Sequence, residues 1–217
     1  MSANRAEFIL VVGAPGSGKS LFIKSFLDRR RPARLLVWDA LDEYGLYAER
    51  VGGVNALVAL FQASRAAEFR LRFICSDRAK VRAKQFNAFC QAGFEAGDLV
   101  LVVDELGDVT NATLSLVPES WSTVCRKGRH RGLTVIGGVQ RPALVDKIFF
   151  GAATLVHCGR LNYSEDVREM AGLLGMERER VVTLKPLDFI ERDMTTGALT
   201  EGVQPLPGAK KTRRASP

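Results

Sequence analysis

The sequence predicts an α/β fold, with a mainly parallel central sheet flanked by helices. Three observations lead there. Short apolar runs without polar alternation, such as Phe8 to Val12 and Leu99 to Val103, suit strands buried on both faces. Segments with apolar residues at helical spacing alternate with these runs. The 217 residues are 47% hydrophobic and 25% charged, which suits a soluble globular domain with a sizeable core.

Phe8 to Val12 is the first strand, and the glycines of residues 13–18 break it. Ser20 to Arg29 reads as a helix, with Phe22, Ile23, Phe26 and Leu27 on one face. Pro32 ends it by restricting the residue before. Arg34 to Trp38 is a strand, Val54 to Ala67 a helix and Leu71 to Cys75 a strand. Asp77 to Ala92 reads as a helix whose outward face carries Arg78, Lys80, Arg82 and Lys84. After the strand at Leu99 to Val103 come a helix at Pro118 to Lys127 and strands at Leu133 to Val139 and Ala153 to His157. Ser164 to Leu174 is helical, and Phe189 to Met194 with Ala198 to Val203 form a C-terminal β-hairpin around "TTG". From Pro205 onward the chain lacks apolar periodicity and carries only positive charge. The expectation is one domain over residues 1–204 and a basic flexible tail over 205–217.

Composition narrows partner and compartment. A net charge of +7 leans toward a polyanionic partner. Cys75, Cys90, Cys125 and Cys158 form no C-x-x-C pair, so they read as reduced thiols rather than a zinc or redox centre. The first apolar run is too short for a signal peptide, and no run approaches the about 18 residues of a membrane helix. The expected location is cytoplasmic.

Two motifs carry chemistry. "GAPGSGKS", Gly13 to Ser20, fits G-x-x-x-x-G-K-[ST], with an apolar strand before it and a helix after. Glycines let backbone N–H groups curl around phosphate oxygens, and the helix aims its positive end at the same anion. Nucleotide contacts are expected from Gly13, Ala14, Pro15, Gly16, Ser17, Gly18, Lys19, Ser20 and Leu21. Lys19 reaches the β- and γ-phosphates and the Ser20 hydroxyl ligates Mg²⁺. The second motif is "LVLVVDE", where a buried strand delivers Asp104 and Glu105 to the sheet edge at which α/β proteins bind ligands. Asp104 would hold Mg²⁺ and Glu105 would polarise the attacking water. No N/T-K-x-D guanine signature is present, so the expected nucleotide is ATP.

Three further stretches line up with these. "VWDALDEYG" follows the second strand, and "VDELGD" contains the acid pair. "GRHRGLTVIGGVQRP" ends a buried strand in Gln140, Arg141 and Pro142. Over about residues 7–160 this set resembles the FtsK/HerA superfamily of DNA-pumping ATPases. Asp39, Glu43, Tyr44 and Gly45 match that family's element after the second strand. The resemblance implies a RecA-like (ASCE) P-loop fold and makes Gln140 a sensor of the γ-phosphate or the attacking water. The residue's chemistry agrees, since an amide can donate to phosphate and accept from water together. Pro142 is expected to start the next helix. Arg126, Lys127, Arg129, His130 and Arg131 read mostly as a solvated basic turn. By family position Arg129, then Arg126, is the candidate arginine finger reaching a neighbouring subunit. Trp38 and Trp121 read as core or subunit-packing residues.

A compact chain without membrane segments is most similar, within that superfamily, to the genome-packaging ATPases of tailless, internal-membrane double-jelly-roll viruses. That resemblance implies double-stranded DNA as partner, a homo-oligomeric ring (hexamer or pentamer), and a capsid vertex or portal membrane protein. Its place would be the host cytoplasm and the packaging vertex. The alternatives are a HerA/FtsK-type motor of plasmid transfer or chromosome handling, and a Zot-like phage morphogenesis ATPase. A small-molecule kinase and an assembly protein that merely binds ATP complete them.

Overall fold

Five consecutive apolar residues cannot be satisfied by a sheet with one wet face, so Phe8–Val12 (β1) must lie inside. The computed structural model describes residues 6–52, 68–111 and 117–206, and in it every residue of β1 is buried. Phe8, Leu10 and Val12 join one apolar cluster. Ile9 and Val11 join a second on the opposite face.

The other strands are β2 (Arg34–Trp38), β3 (Glu49–Val51), β4 (Phe69–Phe73), β5 (Val100–Val103), β6 (Thr134–Val139), β7 (Leu155–Gly159), β8 (Asp188–Asp193) and β9 (Leu199–Val203). They form one sheet in the order β3-β4-β2-β5-β6-β1-β7-β8-β9. All neighbours pair parallel from β3 to β7, and β8 and β9 add an antiparallel hairpin. The hairpin turn is closed by Asp193, whose Oδ1 accepts from the N–H groups of Thr195 and Thr196 at 2.7 and 3.0 Å.

Helices cover both faces. The helix α1 (Lys19–Arg30) packs Phe22, Ile23, Phe26 and Leu27 on one. The other is covered by α2 (Ala79–Ala96), α3 (Glu119–Lys127), α4 (Ile148–Ala152), α5 (Ser164–Leu174) and α6 (Arg178–Val182). Trp38 stacks on Phe73 at 5.3 Å and meets Phe86 and Phe89 edge-on at 5.1 and 5.2 Å. Such pairs contribute about 0.5–1.5 kcal/mol each beyond area burial. Trp38 and Trp121 are 0% and 1% exposed, so both are core residues. Among the described residues no helix is long and apolar enough to cross a membrane.

The structure moves some predicted elements. The strand expected at Leu71 to Cys75 runs over Phe69–Phe73, in register with β2 from Arg34↔Phe69 to Trp38↔Phe73. Only the short β3 lies beyond it, so Arg70 and Arg72 can sit in a strand and reach outward to the Pro32 and Ala48 carbonyls. With three residues, two of them exposed, β3 has no apolar signature. At five residues each, α4 and α6 are too short to show a helical period. The predicted helix at Val54 to Ala67 and residues 207–217 of the predicted tail lie outside the described residues.

At the edge where the parallel strands begin, three arginines cap helix ends. Arg34 Nη2 donates to the Ala96 and Gly97 carbonyls at 3.1 and 3.3 Å. Arg131 Nε and Nη2 donate to the Phe94 and Glu95 carbonyls at 3.0 and 2.5 Å. Arg129 Nη2 donates to the Ala152 carbonyl at 2.6 Å. The last carbonyls of a helix have no partner of their own, and guanidinium donors suit them.

Candidate active site

Where the central strands end, the chain brings its polar residues together. Past Val12, the Gly13 N–H donates to the Val139 carbonyl at 3.0 Å and the Ala14 N–H to the Arg160 carbonyl at 2.8 Å. The loop is therefore pinned to both neighbours, β6 and β7, before it turns. Gly16 and Gly18 take φ of +74° and +100°, where a side chain would be strained. At Gly13 a Cβ would lie 2.2 Å from Ser17 Oγ, so only glycine fits there. Ser17 is buried, and its Oγ has no partner among the described residues. Lys19 opens α1 and folds back, with Nζ donating to the Gly13 carbonyl at 2.8 Å. Burial lowers its pKa, and the carboxylates of Glu105, Asp104 and Glu43 oppose the shift. Pro15 and Gly16 are exposed, so the loop faces outward.

The acid pair leaves β5 two strands away from β1, with β6 between. Gly138 of β6 must be glycine here, because a Cβ would stand 2.0 Å from the Asp104 carbonyl. Asp104 is buried, and its Oδ1 accepts from the Tyr44 hydroxyl at 2.7 Å. Burial raises its pKa, and the Tyr44 hydrogen bond opposes that. Glu105 Oε1 accepts from Gly107 N–H at 3.0 Å and, at a long 3.4 Å, from Gln140 N–H. Its Oε2 is buried with no partner among the described residues. Burial pushes the Glu105 carboxyl up to about 7.

Gln140 follows β6, which pairs with β1 from Phe8↔Val135 to Val12↔Val139. Its strand thus lies beside the phosphate-loop strand. Glu105, Gln140, Leu41, Arg141 and Leu144 line a cleft of about 310 Å³. Pro142 does not start a helix, contrary to expectation. It sits inside a turn instead, closed by Leu144 N–H donating to the Arg141 carbonyl at 3.0 Å, and the next helix begins at Ile148. Tertiary partners hold the turn in place. Asp166 Oδ1 accepts the Ala143 N–H at 3.0 Å, its Oδ2 accepts Arg141 Nε at 2.6 Å, and Lys147 Nζ donates to the Pro142 carbonyl. The Arg141 guanidinium also lies 3.7 Å from the centre of the Tyr163 ring.

The structure thus gathers Gly13 to Leu21, Asp104, Glu105 and Gln140 at one edge. Arg129 does not join them. It is exposed at the opposite edge, with its guanidinium 5.4 Å from the Phe8 ring at the far end of β1. His130 is exposed too. Sequence reasoning missed Asp166 and Arg160. Arg160 comes directly after β7, and its Nη2 donates to the Pro15 carbonyl at 3.3 Å, bracing the phosphate loop. Its signal was its place just past a strand beside β1. An acid in the first turn of a helix, as Asp166 is, gives no comparable signal.

The edge fits a Mg²⁺-nucleotide. Left-handed glycines and the start of α1 form an anion cradle. The edge carries a hydroxyl, Ser20, and a carboxylate, Asp104, and hard oxygen groups of these kinds are the ligands Mg²⁺ prefers. Among the described residues no group of three or more His, Cys, Asp or Glu forms a metal cage. Mg²⁺ in phosphoryl-transfer sites needs none, because substrate phosphates supply the remaining ligands.

A phosphate loop, an acid pair and a strand-end glutamine on a mainly parallel sheet flanked by helices define a RecA-like P-loop fold. The chain belongs to the family of Protein P9 of Pseudoalteromonas phage PM2, with 32% identity over 207 residues, 94% of this chain and 88% of that protein. No family model matches it. Among solved structures it is similar to the genome packaging NTPase B204 of Sulfolobus turreted icosahedral virus 2 in complex with ATP-gammaS. The TM-score is 0.74 at 22% identity, covering 95% of this chain and 100% of that one. VirB4 of Thermoanaerobacter pseudethanolicus matches with a TM-score of 0.70 at 12% identity, over 95% of this chain and 92% of that one.

Proposed function

We propose that this chain is a Mg²⁺-dependent ATPase that drives double-stranded DNA, as a homo-oligomeric ring packaging a viral genome. The observation that carries the reading is the convergence of Lys19, Glu105 and Gln140 just past the ends of three strands that are neighbours in the sheet. The likeness to a genome packaging NTPase supports the choice of DNA as cargo.

Each residue has a role in the reaction. Backbone N–H groups of Gly13 to Ser20 and the Ser17 hydroxyl hold phosphate oxygens. Lys19 exchanges the Gly13 carbonyl for the β- and γ-phosphates. Ser20 and Asp104 would hold Mg²⁺, which neutralises charge on the phosphates when bound. Glu105, whose Oε2 lacks a partner among the described residues, takes the proton of a water attacking in line. Gln140 contacts the γ-phosphate or that water. Its signal passes to α5 through Arg141 and Asp166, because no helix starts at Pro142.

Two experiments test this. Duplex DNA is expected to stimulate ATP hydrolysis by the wild type with no small acceptor present. Gln140→Ala should still bind ATP yet lose most of that stimulation. A wild type indifferent to DNA would sink the motor reading, and full stimulation in the variant would reduce Gln140 to a strand end.

The second concerns the ring. The phosphate loop faces outward, and Arg129 sits at the opposite edge, so for Arg129 to act as the arginine finger it must come from another copy. Arg129→Ala should cut turnover about 10³-fold while sparing ATP binding. Mixing it with Lys19→Ala protein should restore part of the activity, since composite sites then pair an intact loop with an intact arginine. No rescue at any mixing ratio would remove Arg129 from the site.

A further inference from the structure

The segment between β2 and β3 carries interactions that the mechanism above does not use. Asp39, just past β2, is fully buried. Its Oδ1 accepts the Glu43 N–H at 2.8 Å, and its Oδ2 accepts the Tyr44 N–H and Arg72 Nη1, each at 3.1 Å. A buried carboxylate with three donors fixes the intervening residues in one path. Asp42 makes a second contact with Arg72. Glu43 pairs with Lys24 of α1 at 3.2 Å, and the Tyr47 hydroxyl donates to Asp28 of α1 at 3.3 Å. The segment is thus tied to β4 on one side and to the phosphate-loop helix on the other.

The residue it holds in place is Tyr44. The side chain is fully buried, with the Lys24 ammonium 5.4 Å from its ring centre. Its hydroxyl reaches Asp104 Oδ1 at 2.7 Å. We propose that Tyr44 is a positioning residue for the cation site: its hydroxyl fixes the rotation of the Asp104 carboxylate, and Asp39 with Arg72 fixes Tyr44. The proposal rests on the reading of Asp104 as a Mg²⁺ carboxylate. A free carboxylate rotates over a broad energy profile about its terminal bond. With one oxygen held, the other is presented along a single direction before any cation arrives.

The test uses the full chain with ATP-gammaS and Mn²⁺, with cation binding followed by electron paramagnetic resonance. ATP-gammaS binding without divalent cation is measured alongside. Tyr44→Phe keeps the ring and removes only the donor. It is expected to weaken Mn²⁺ about 10-fold or more while cation-free nucleotide binding stays within about twofold. Asp39→Asn sets an amide NH₂ against the Tyr44 N–H and Arg72, and should weaken Mn²⁺ similarly. The double variant should be no worse than Asp39→Asn alone, because both changes act through one hydroxyl. Unchanged Mn²⁺ affinity in Tyr44→Phe, or losses that add in the double variant, overturns the proposal. A wild type that binds no Mn²⁺ with ATP-gammaS overturns the Asp104 assignment first, and this proposal with it.

Discussion

Replacing Lys19 with alanine is expected to lower ATP turnover by roughly 10²–10³-fold or more, the loss seen when one aimed donor is removed from a transition-state site. Lys19 lies within electrostatic reach of Glu105, Asp104 and Glu43. Without it, the γ-phosphoryl charge would develop beside these carboxylates with one cation fewer to offset it. The phosphates would also lose the ammonium that leaves the Gly13 carbonyl to meet them, so the loop should hold nucleotide less tightly. Phosphate release at saturating ATP measures the first effect, and ATP-gammaS titration the second. A variant with near wild-type turnover would take Lys19 out of the phosphate site.

Glu105→Gln should separate binding from chemistry. The amide keeps an oxygen for the Gly107 and Gln140 N–H groups, so the 3.0 Å contact to Gly107 and the local fold survive. It cannot take a proton, and Oε2 is replaced by a donor. Hydrolysis is expected to fall about 10²–10⁴-fold, the range of a general base, with nucleotide affinity nearly unchanged. Single-turnover hydrolysis beside ATP-gammaS binding decides the matter. An unchanged single-turnover rate would end the water-polarising role.

Much of this was legible in the sequence because local pattern and tertiary demand agree. Phe8–Val12, Arg34–Trp38 and Ser164–Leu174 run between the boundaries that the apolar pattern set. The phosphate loop and acid pair were legible for the same reason, since a buried strand must end at the surface and the residues just past its end are open to ligands. The QRP turn was less so. Its path depends on Asp166, which lies 25 residues from Arg141 in the chain, and a proline alone does not reveal that the next N–H is already taken. The element at Asp39 was visible as a resemblance, but its geometry depends on Arg72 and Asp104, which come from other strands. Strand β4 was displaced because charged residues in a near-edge strand break the apolar run that marks a strand.

The arginine caps change the meaning of the net charge of +7. Arg34 and Arg131 both serve the end of one helix, and Arg129 serves another. A helix end carries about half an elementary negative charge, so part of the positive potential at this edge is cancelled within the protein. A duplex approaching it would meet a weaker field than the sequence total suggests. The number of counterions released on binding tracks the phosphates neutralised, not the formal charge of the protein. The salt dependence of DNA binding would therefore report the cations that touch the backbone, and would fall short of a slope calculated from composition.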